Sequence, residues 1–354
     1  MTPVEPTQQS RKPPSFYGLS REQLADHLVT HGLPTFRAQQ LFSWVYQKHE
    51  RQPGAMTNLP LSFRSSMEQL CDLRLPPSAA VLASPDRSTH KFVLELRGGV
   101  RVECVSMLTE RRLTFCLSSQ VGCALGCAFC ATGLMGLKRN LGAGEIVAQV
   151  VAMGDLHRWQ DERFNVVFMG MGEPLANYGA LMDAIRILRD PRGLNMGARR
   201  ITVSTSGLVP QIRKLAGEGL QLGLAISLHA TTDELRDRLV PVNRRWPLRE
   251  LMAAAREYGE RSGRRVTLEY TLLAGVNDRA EDADRLADMA RALPSKINLI
   301  PYNPVPGLTW KRPERRAVEA FAHRLEPRAP AVTVRRTLGG EIWAACGQLG
   351  GLGA

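Results

Sequence analysis

The chain has 354 residues, room for one large domain and one small one. Lys and Arg total 46 against 34 Asp and Glu, a net charge of +12 that favours an anionic partner, nucleic acid first. Seven cysteines are too sparse for a secreted disulfide scaffold, and no apolar run reaches the length that spans a bilayer.

Residues 1–18 are polar and proline-containing and predict a disordered tail. They have no apolar core and do not resemble a signal peptide, which points to the reducing cytoplasm. Residues 19–75 read as a small helical unit. Ser20 can cap a helix over 21–31 that Gly32-Leu33-Pro34 ends, and Thr35 can cap the next. There Ala38, Leu41, Phe42, Trp44 and Val45 have helical apolar spacing, and a third helical stretch starts near Thr57 or Asn58. Residues 76–108 read as a β-hairpin or linker. Strands over 90–96 and 100–105 flank the turn Gly98-Gly99.

From about residue 109 to 338, strands and helices alternate. Candidate strands cover 112–117, 164–169, 200–205, 221–228, 265–273, 296–301 and 331–335. Helices fall at 143–157, 178–189, 208–217, 247–261, 280–292 and 313–325. This is the pattern of βαβ units on a parallel sheet, and its spacing suits a barrel or partial barrel of the α/β class. Catalytic groups of such folds sit at the C-terminal ends of strands. Gly170-Met171-Gly172-Glu173-Pro174, Ser204-Thr205-Ser206-Gly207, Ser227-Leu228-His229 and Pro301-Tyr302-Asn303-Pro304 all stand there. Many basic residues come as adjacent pairs, among them Arg111-Arg112, Lys138-Arg139, Arg213-Lys214, Arg315-Arg316 and Arg335-Arg336. They could reach phosphate; a solvated arginine-rich surface would look the same. Aromatic residues are only 6%, so stacking platforms for single strands are not evident.

Cys123, Cys127 and Cys130 follow the first strand of this region with the spacing C-x3-C-x2-C. A four-iron cubane is normally held by four thiolates. Three leave one iron open to a substrate or cofactor, as a catalytic metal requires. A structural zinc site is the competing reading. Cys116 could supply a fourth thiolate, but only Cys127 and Cys130 fit a short C-x2-4-C hairpin.

The cysteine run, with Phe129 just before the last cysteine, resembles the signature of radical S-adenosylmethionine (SAM) enzymes. With three further segments the resemblance narrows. These are 116–123 (CLSSQVGC), 169–175 (MGMGEPL) and 300–307 (IPYNPVPG). Over nearly its whole length the chain resembles the RlmN/Cfr family of radical SAM adenosine RNA methyltransferases. The resemblance implies a partial (β/α)6-type barrel with a small N-terminal helical domain that positions RNA and a β-hairpin extension. It implies a [4Fe–4S] cluster on Cys123, Cys127 and Cys130, with SAM contacts from Gly172, Glu173, Ser204, Ser227, Leu228, His229 and Asn303. Cys346, in the C-terminal segment 339–354, would be methylated by one SAM. A radical from a second SAM would activate that methyl group for addition to carbon 2 of adenine. Cys116 would then resolve the enzyme–RNA adduct by forming a disulfide with Cys346, and Glu103 would accept a proton.

The same resemblance implies 23S rRNA and tRNA as substrates, a reducing electron donor such as flavodoxin, and a monomer with no membrane association. Leu338 and Gly339-Gly340-Glu341 depart from the family pattern, and the glycine-rich end after Cys346 could be mobile. Without the family, Cys116 and Cys346 would read as buried core cysteines. The rival functions are C8 methylation, a non-catalytic iron–sulfur RNA-binding protein, and a thiol–disulfide protein that leaves the cluster motif unexplained.

Overall fold

The computed structural model describes residues 12–110, 112–159 and 164–350. Its strands are β1 (Ser78–Ala83), β2 (Thr89–Glu95), β3 (Arg101–Thr109), β4 (Arg112–Cys116), β5 (Gln120–Gly122), β6 (Leu137–Asn140), β7 (Phe164–Phe168), β8 (Ile201–Thr205), β9 (Gly223–Ser227), β10 (Val266–Leu272), β11 (Ser295–Pro301) and β12 (Val332–Val334). Its helices are α1 (Arg21–Thr30), α2 (Phe36–Phe42), α3 (Leu61–Leu70), α4 (Ala131–Leu134), α5 (Ala143–Leu156), α6 (Tyr178–Arg189), α7 (Val209–Gly217), α8 (Asp233–Leu239), α9 (Leu248–Ser262), α10 (Ala280–Arg291) and α11 (Arg315–Leu325).

One ten-stranded sheet runs in the order β1-β2-β3-β4-β7-β8-β9-β10-β11-β12. From β4 to β12 every neighbouring pair is parallel. Parallel neighbours need a crossover, and α5, α6, α7, α9, α10 and α11 supply one at each step. This is the α/β partial barrel. Each expected strand and helix of the alternating region forms, with ends within two residues of expectation. The hairpin is not a separate linker. β3 pairs antiparallel with β4 over 105–109 and 112–116, so β1, β2 and β3 extend the barrel sheet. That pairing sets Val105 opposite Cys116 and brings β3, with Glu103, to the edge of the site.

The helical unit forms as its caps predict. The Ser20 hydroxyl accepts from the Gln23 N–H while the Gln23 side chain accepts from the Ser20 N–H, a reciprocal capping box. Thr35 precedes α2 but makes no side-chain cap, and α2 continues as a π-helical turn over Ser43–Gln47. The expected disordered tail needs correction at its end. Phe16–Gly18 form a 3-10 turn in which Phe16 and Tyr17 are fully buried, and the Tyr17 hydroxyl donates to the Leu73 carbonyl at 2.7 Å. Two apolar rings decide that placement, since burying each is worth about 1.5–3 kcal/mol. Residues 1–11 lie outside the described residues, as do Arg111 and the last four positions. The unit docks on the barrel through Gly18 against Gly144 of α5, where a side chain on Gly144 would stand 2.8 Å from backbone. Arg51 with Asp155 and Arg21 with Asp190 add ion pairs across the joint. No described helix is long and apolar enough to cross a membrane.

Candidate active site

The strand ends converge on a cavity that opens on one side. Cys123, Cys127 and Cys130 line it together with Gly172, Glu173, Ser204, Ser227, His229, Asn303 and Cys346. Ten residues singled out from sequence thus meet in one place.

A ribbon holds the cysteine loop. β5 and β6 pair antiparallel and bracket residues 123–136. Gly122 closes the bracket at φ +76°, where a side chain would fall 1.8 Å from the Gly136 carbonyl oxygen. The Cys123 N–H donates back to that same carbonyl at 3.0 Å. Further along, the Ala128 N–H donates to Leu239 at the end of α8, and the Trp310 indole donates to the Ala128 carbonyl. Burial pushes the Cys123 thiol up to about 11 and raises Cys127 and Cys130 as well. Iron ligation would offset that cost, because a bound metal keeps a ligand thiol deprotonated.

The donor set suits a cluster: Cys123, Cys127 and Cys130 line one cavity, and three thiolates leave one iron of a cubane open, whereas a structural zinc site closes with a fourth ligand. Cys116 does not join the loop. It lies in an adjoining cavity whose wall includes Cys346, Met169, Asn303 and Arg335.

The segment after β7 is shaped by close approach. Gly172 has φ +96°, and a side chain there would stand 2.5 Å from Gln120 Cβ. Glu173 follows and is 3% exposed. Its two oxygens accept from the N–H groups of Leu175 at 3.0 Å and Ser206 at 2.8 Å. Burial nevertheless pushes its carboxyl up to about 7. On the next strand end, His229 is a non-glycine residue at φ +59°. Such a backbone persists only where its surroundings fix it. Its Nδ1 accepts from the Thr271 N–H at 3.0 Å and its carbonyl accepts from Asn277 Nδ2 at 2.9 Å. Burial, then the charge of Arg236, lowers its pKa to about 3, so the ring is neutral with the proton on Nε2. The Phe129 ring meets it edge-on at 4.8 Å.

The C-terminal segment crosses the cavity mouth and is pinned, not loose, through Gly350. Gly347 accepts from Ala131 N–H at 2.8 Å, the Leu349 carbonyl accepts from Thr132 Oγ1 at 2.7 Å, and Asn303 Nδ2 donates to the Cys346 carbonyl at 3.1 Å. The departing stretch before it forms a 3-10 turn over Gly340–Ile342, flanked by Gly339 and Trp343 in the left-handed region. Cys346 lines both cavities, the one with the cluster loop and the one with Cys116.

Two sequence readings need adjustment here. Leu228 is fully buried and does not line the cavity. Its N–H donates to the Glu269 carbonyl and its own carbonyl accepts from Arg236, so both polar groups are already used. Glu103 also stands off the main cavity wall. It is fully buried, ion-paired to Lys91 at 3.5 Å, and accepts from the Gly350 N–H at 2.9 Å. It therefore touches the segment that carries Cys346.

Sequence reasoning missed Arg335 and Arg236. Arg335 was one half of a basic pair taken as surface. It turns inward, lines both cavities and points Nη1 at Met169 Sδ, 3.7 Å away. Cys346 above all, then Glu269 and Cys116, raise its pKa against the effect of burial. Other members of these pairs are engaged in ion pairs: Arg139 with Glu145, Arg213 with Glu257, Arg315 with Glu319.

A cysteine loop set over a parallel partial barrel, facing a buried carboxylate and strand-end hydroxyls, defines a radical SAM enzyme. The Radical SAM superfamily model matches residues 117–288, and a ribosomal RNA large subunit methyltransferase N-terminal domain model matches residues 15–73. The crystal structure of a radical SAM methyltransferase from Sphaerobacter thermophilus superposes with a TM-score of 0.92 at 46% identity, covering 95% of this chain and 99% of that one. A protein of Symbiobacterium thermophilum named "Probable dual-specificity RNA methyltransferase RlmN" is 50% identical over 94% of this chain and 90% of its own length. The "Dual-specificity RNA methyltransferase RlmN" of Geotalea uraniireducens is 44% identical over 93% of this chain and 94% of its own length. The chain belongs to the RlmN family of radical SAM RNA methyltransferases, enzymes that use a [4Fe–4S] cluster and SAM.

Proposed function

We propose that this enzyme methylates carbon 2 of adenosine in 23S rRNA and in tRNA, with Cys346 carrying the methyl group on its sulfur. One observation carries the reading: Cys346 is the one thiol that lines both the cavity of the three cluster cysteines and the cavity of Cys116. A binding protein needs neither the second thiol nor its position. When bound, the reduced cluster and SAM supply the one-electron chemistry that electron-poor carbon 2 of adenine requires.

The chain's own residues then divide the work. Cys123, Cys127 and Cys130 hold the cluster. The Glu173 carboxylate and the Gly172 backbone meet the SAM amino group, the pairing expected of a carboxylate and an ammonium. His229 Nε2–H, Ser204, Ser227 and Asn303 offer hydrogen bonds to the rest of the molecule. Cys346 accepts the methyl group and later joins the base through it. Cys116 attacks the Cys346 sulfur, so that a disulfide forms as the methylated base leaves. Glu103, under the same segment, is the proton acceptor. RNA, a reducing protein of the flavodoxin type and a monomeric, cytoplasmic enzyme complete this reading, with 12 positive charges in excess available for phosphate.

Mass spectrometry of RNA from cells with and without the gene tests the assignment. Loss of 2-methyladenosine is expected; loss of 8-methyladenosine instead would transfer the protein to the rival regiochemistry.

Glu173 gives a further expected result. Its carboxyl must ionise to pair with an ammonium, and burial holds it near 7. A raised carboxyl binds its proton below that value. SAM affinity for the reconstituted protein should therefore rise from pH 6 towards pH 7 and level above it. Glu173→Gln should flatten that profile and weaken binding roughly ten- to a hundredfold, the worth of a hydrogen bond to a charged group. Equilibrium dialysis across pH 6–8 reads both effects; an unchanged profile in the variant would exclude Glu173 as the ammonium partner.

A further inference from the structure

Arg236 heads the large side chains that are fully buried, at 0% exposure. It projects from α8, whose start is capped by the Thr232 hydroxyl accepting from Leu235 N–H. The guanidinium donates four ways: Nε to the Leu228 carbonyl at 3.0 Å, Nη1 to Asn243 Oδ1 at 3.0 Å, and Nη2 to the carbonyls of Ser206 at 2.6 Å and Ser227 at 3.1 Å. Every one of these acceptors is neutral. Asp233 and Asp237, the carboxylates that feel its charge, accept instead from Asn243 Nδ2 at 2.9 and 2.7 Å.

A buried charge is costly unless a counter-charge compensates it. Burial indeed lowers Arg236 to about 10, and Cys127 is the strongest attraction acting against that. Ser206 links the two groups. Its carbonyl accepts from Arg236, while its hydroxyl stands 3.9 Å from Cys127 Sγ. The cation is therefore fixed behind the strand ends, on the side where three thiolates would gather negative charge.

We propose that Arg236 is a positioning residue for the cluster: a buried cation held by four hydrogen bonds to neutral oxygens, whose counter-charge is the thiolate-bound cluster, and which raises the cluster's reduction potential. Reduction adds an electron to an already anionic group, and a fixed positive charge nearby favours the added electron. Local charge and hydrogen bonding are the means by which a protein tunes such potentials. The same side chain clamps the ends of β8 and β9, which carry Ser206 and Ser227. This inference rests on the assignment of Cys123, Cys127 and Cys130 as cluster ligands.

The test compares anaerobically reconstituted full-length wild type, Arg236→Met and Arg236→Lys, with Cys127→Ala as the control. Iron content and a redox titration followed by electron paramagnetic resonance are read for each. Arg236→Met, neutral and similar in length, is expected to hold a cluster at a more negative potential than wild type. Arg236→Lys keeps the charge and should stay close to wild type. A methionine variant at the wild-type potential overturns the inference, as does a lysine variant shifted as far as the methionine one. Should Arg236→Met not fold, the lysine variant decides alone: an unshifted potential supports the charge, and a negative shift overturns it. Full iron in Cys127→Ala would instead overturn the cluster assignment beneath the inference.

Discussion

Replacing Cys346 with alanine is expected to abolish RNA methylation while leaving iron content and SAM binding at wild-type levels. The substitution removes one sulfur and no backbone contact. The carbonyl of residue 346 still accepts from Asn303, and Gly347 still accepts from Ala131 beside the cluster loop. Neither Glu173 nor His229 hydrogen-bonds to Cys346, and Asn303, also assigned to SAM, reaches only its backbone carbonyl. What disappears is the proposed methyl acceptor, and no other thiol lines both cavities. Transfer of labelled methyl from SAM to RNA should fall to background. Iron, sulfide and bound SAM measured on the same sample should not change. Methylated RNA at the wild-type rate from this variant would exclude a methyl carrier at position 346.

Much of this site was legible because its residues sit where pattern places them. The alternation of strands and helices marks strand ends, and strand ends are where a barrel carries chemistry. The segments of Gly172, Ser204, Ser227, His229 and Asn303 could thus be placed at strand ends, while the family resemblance singled out those residues within them. The failures have physical causes. The β5–β6 ribbon has strands of only three and four residues, one ending in a glycine, so no period of two could show. The buried turn at Phe16 sits in a polar tail, and two rings against α5 outweigh that composition.

Arginine was the hardest residue to read. Both Arg236 and Arg335 belong to a strongly basic sequence whose average arginine is solvated. Nothing local distinguishes the two that turn inward. Their environments are assembled from distant segments: Arg236 from the ends of β8 and β9 and Asn243, Arg335 from Cys116, Glu269 and Cys346. Leu228 failed for the complementary reason. It stands between Ser227 and His229, just past the end of β9, and its side chain is fully buried in the core.

Replacing Cys116 with alanine should give the opposite signature to Cys346→Ala: enzyme trapped on RNA. Cys116 closes β4, 5% exposed, in the cavity that shares Cys346 as a wall. Burial pushes its thiol up to about 12, with Cys346 adding to the rise and Arg335 opposing it. At rest the group is therefore held protonated. In the proposed cycle it attacks only once Cys346 presents a sulfur bonded to the base, and the charge of Arg335 would favour the thiolate needed. Without Cys116, Cys346 can still be methylated and can still join carbon 2 of adenine, but nothing opens the sulfur–carbon bond. Protein made in cells should then migrate with bound RNA on denaturing gels, the shift should vanish on nuclease treatment, and Cys116→Ala/Cys346→Ala should show none. The lost sulfur costs about 1 kcal/mol of stability, typical of a single substitution, so the variant should fold. Free, methylated RNA released at the wild-type rate by Cys116→Ala, with no trapped species, would mean that Cys116 does not resolve the adduct.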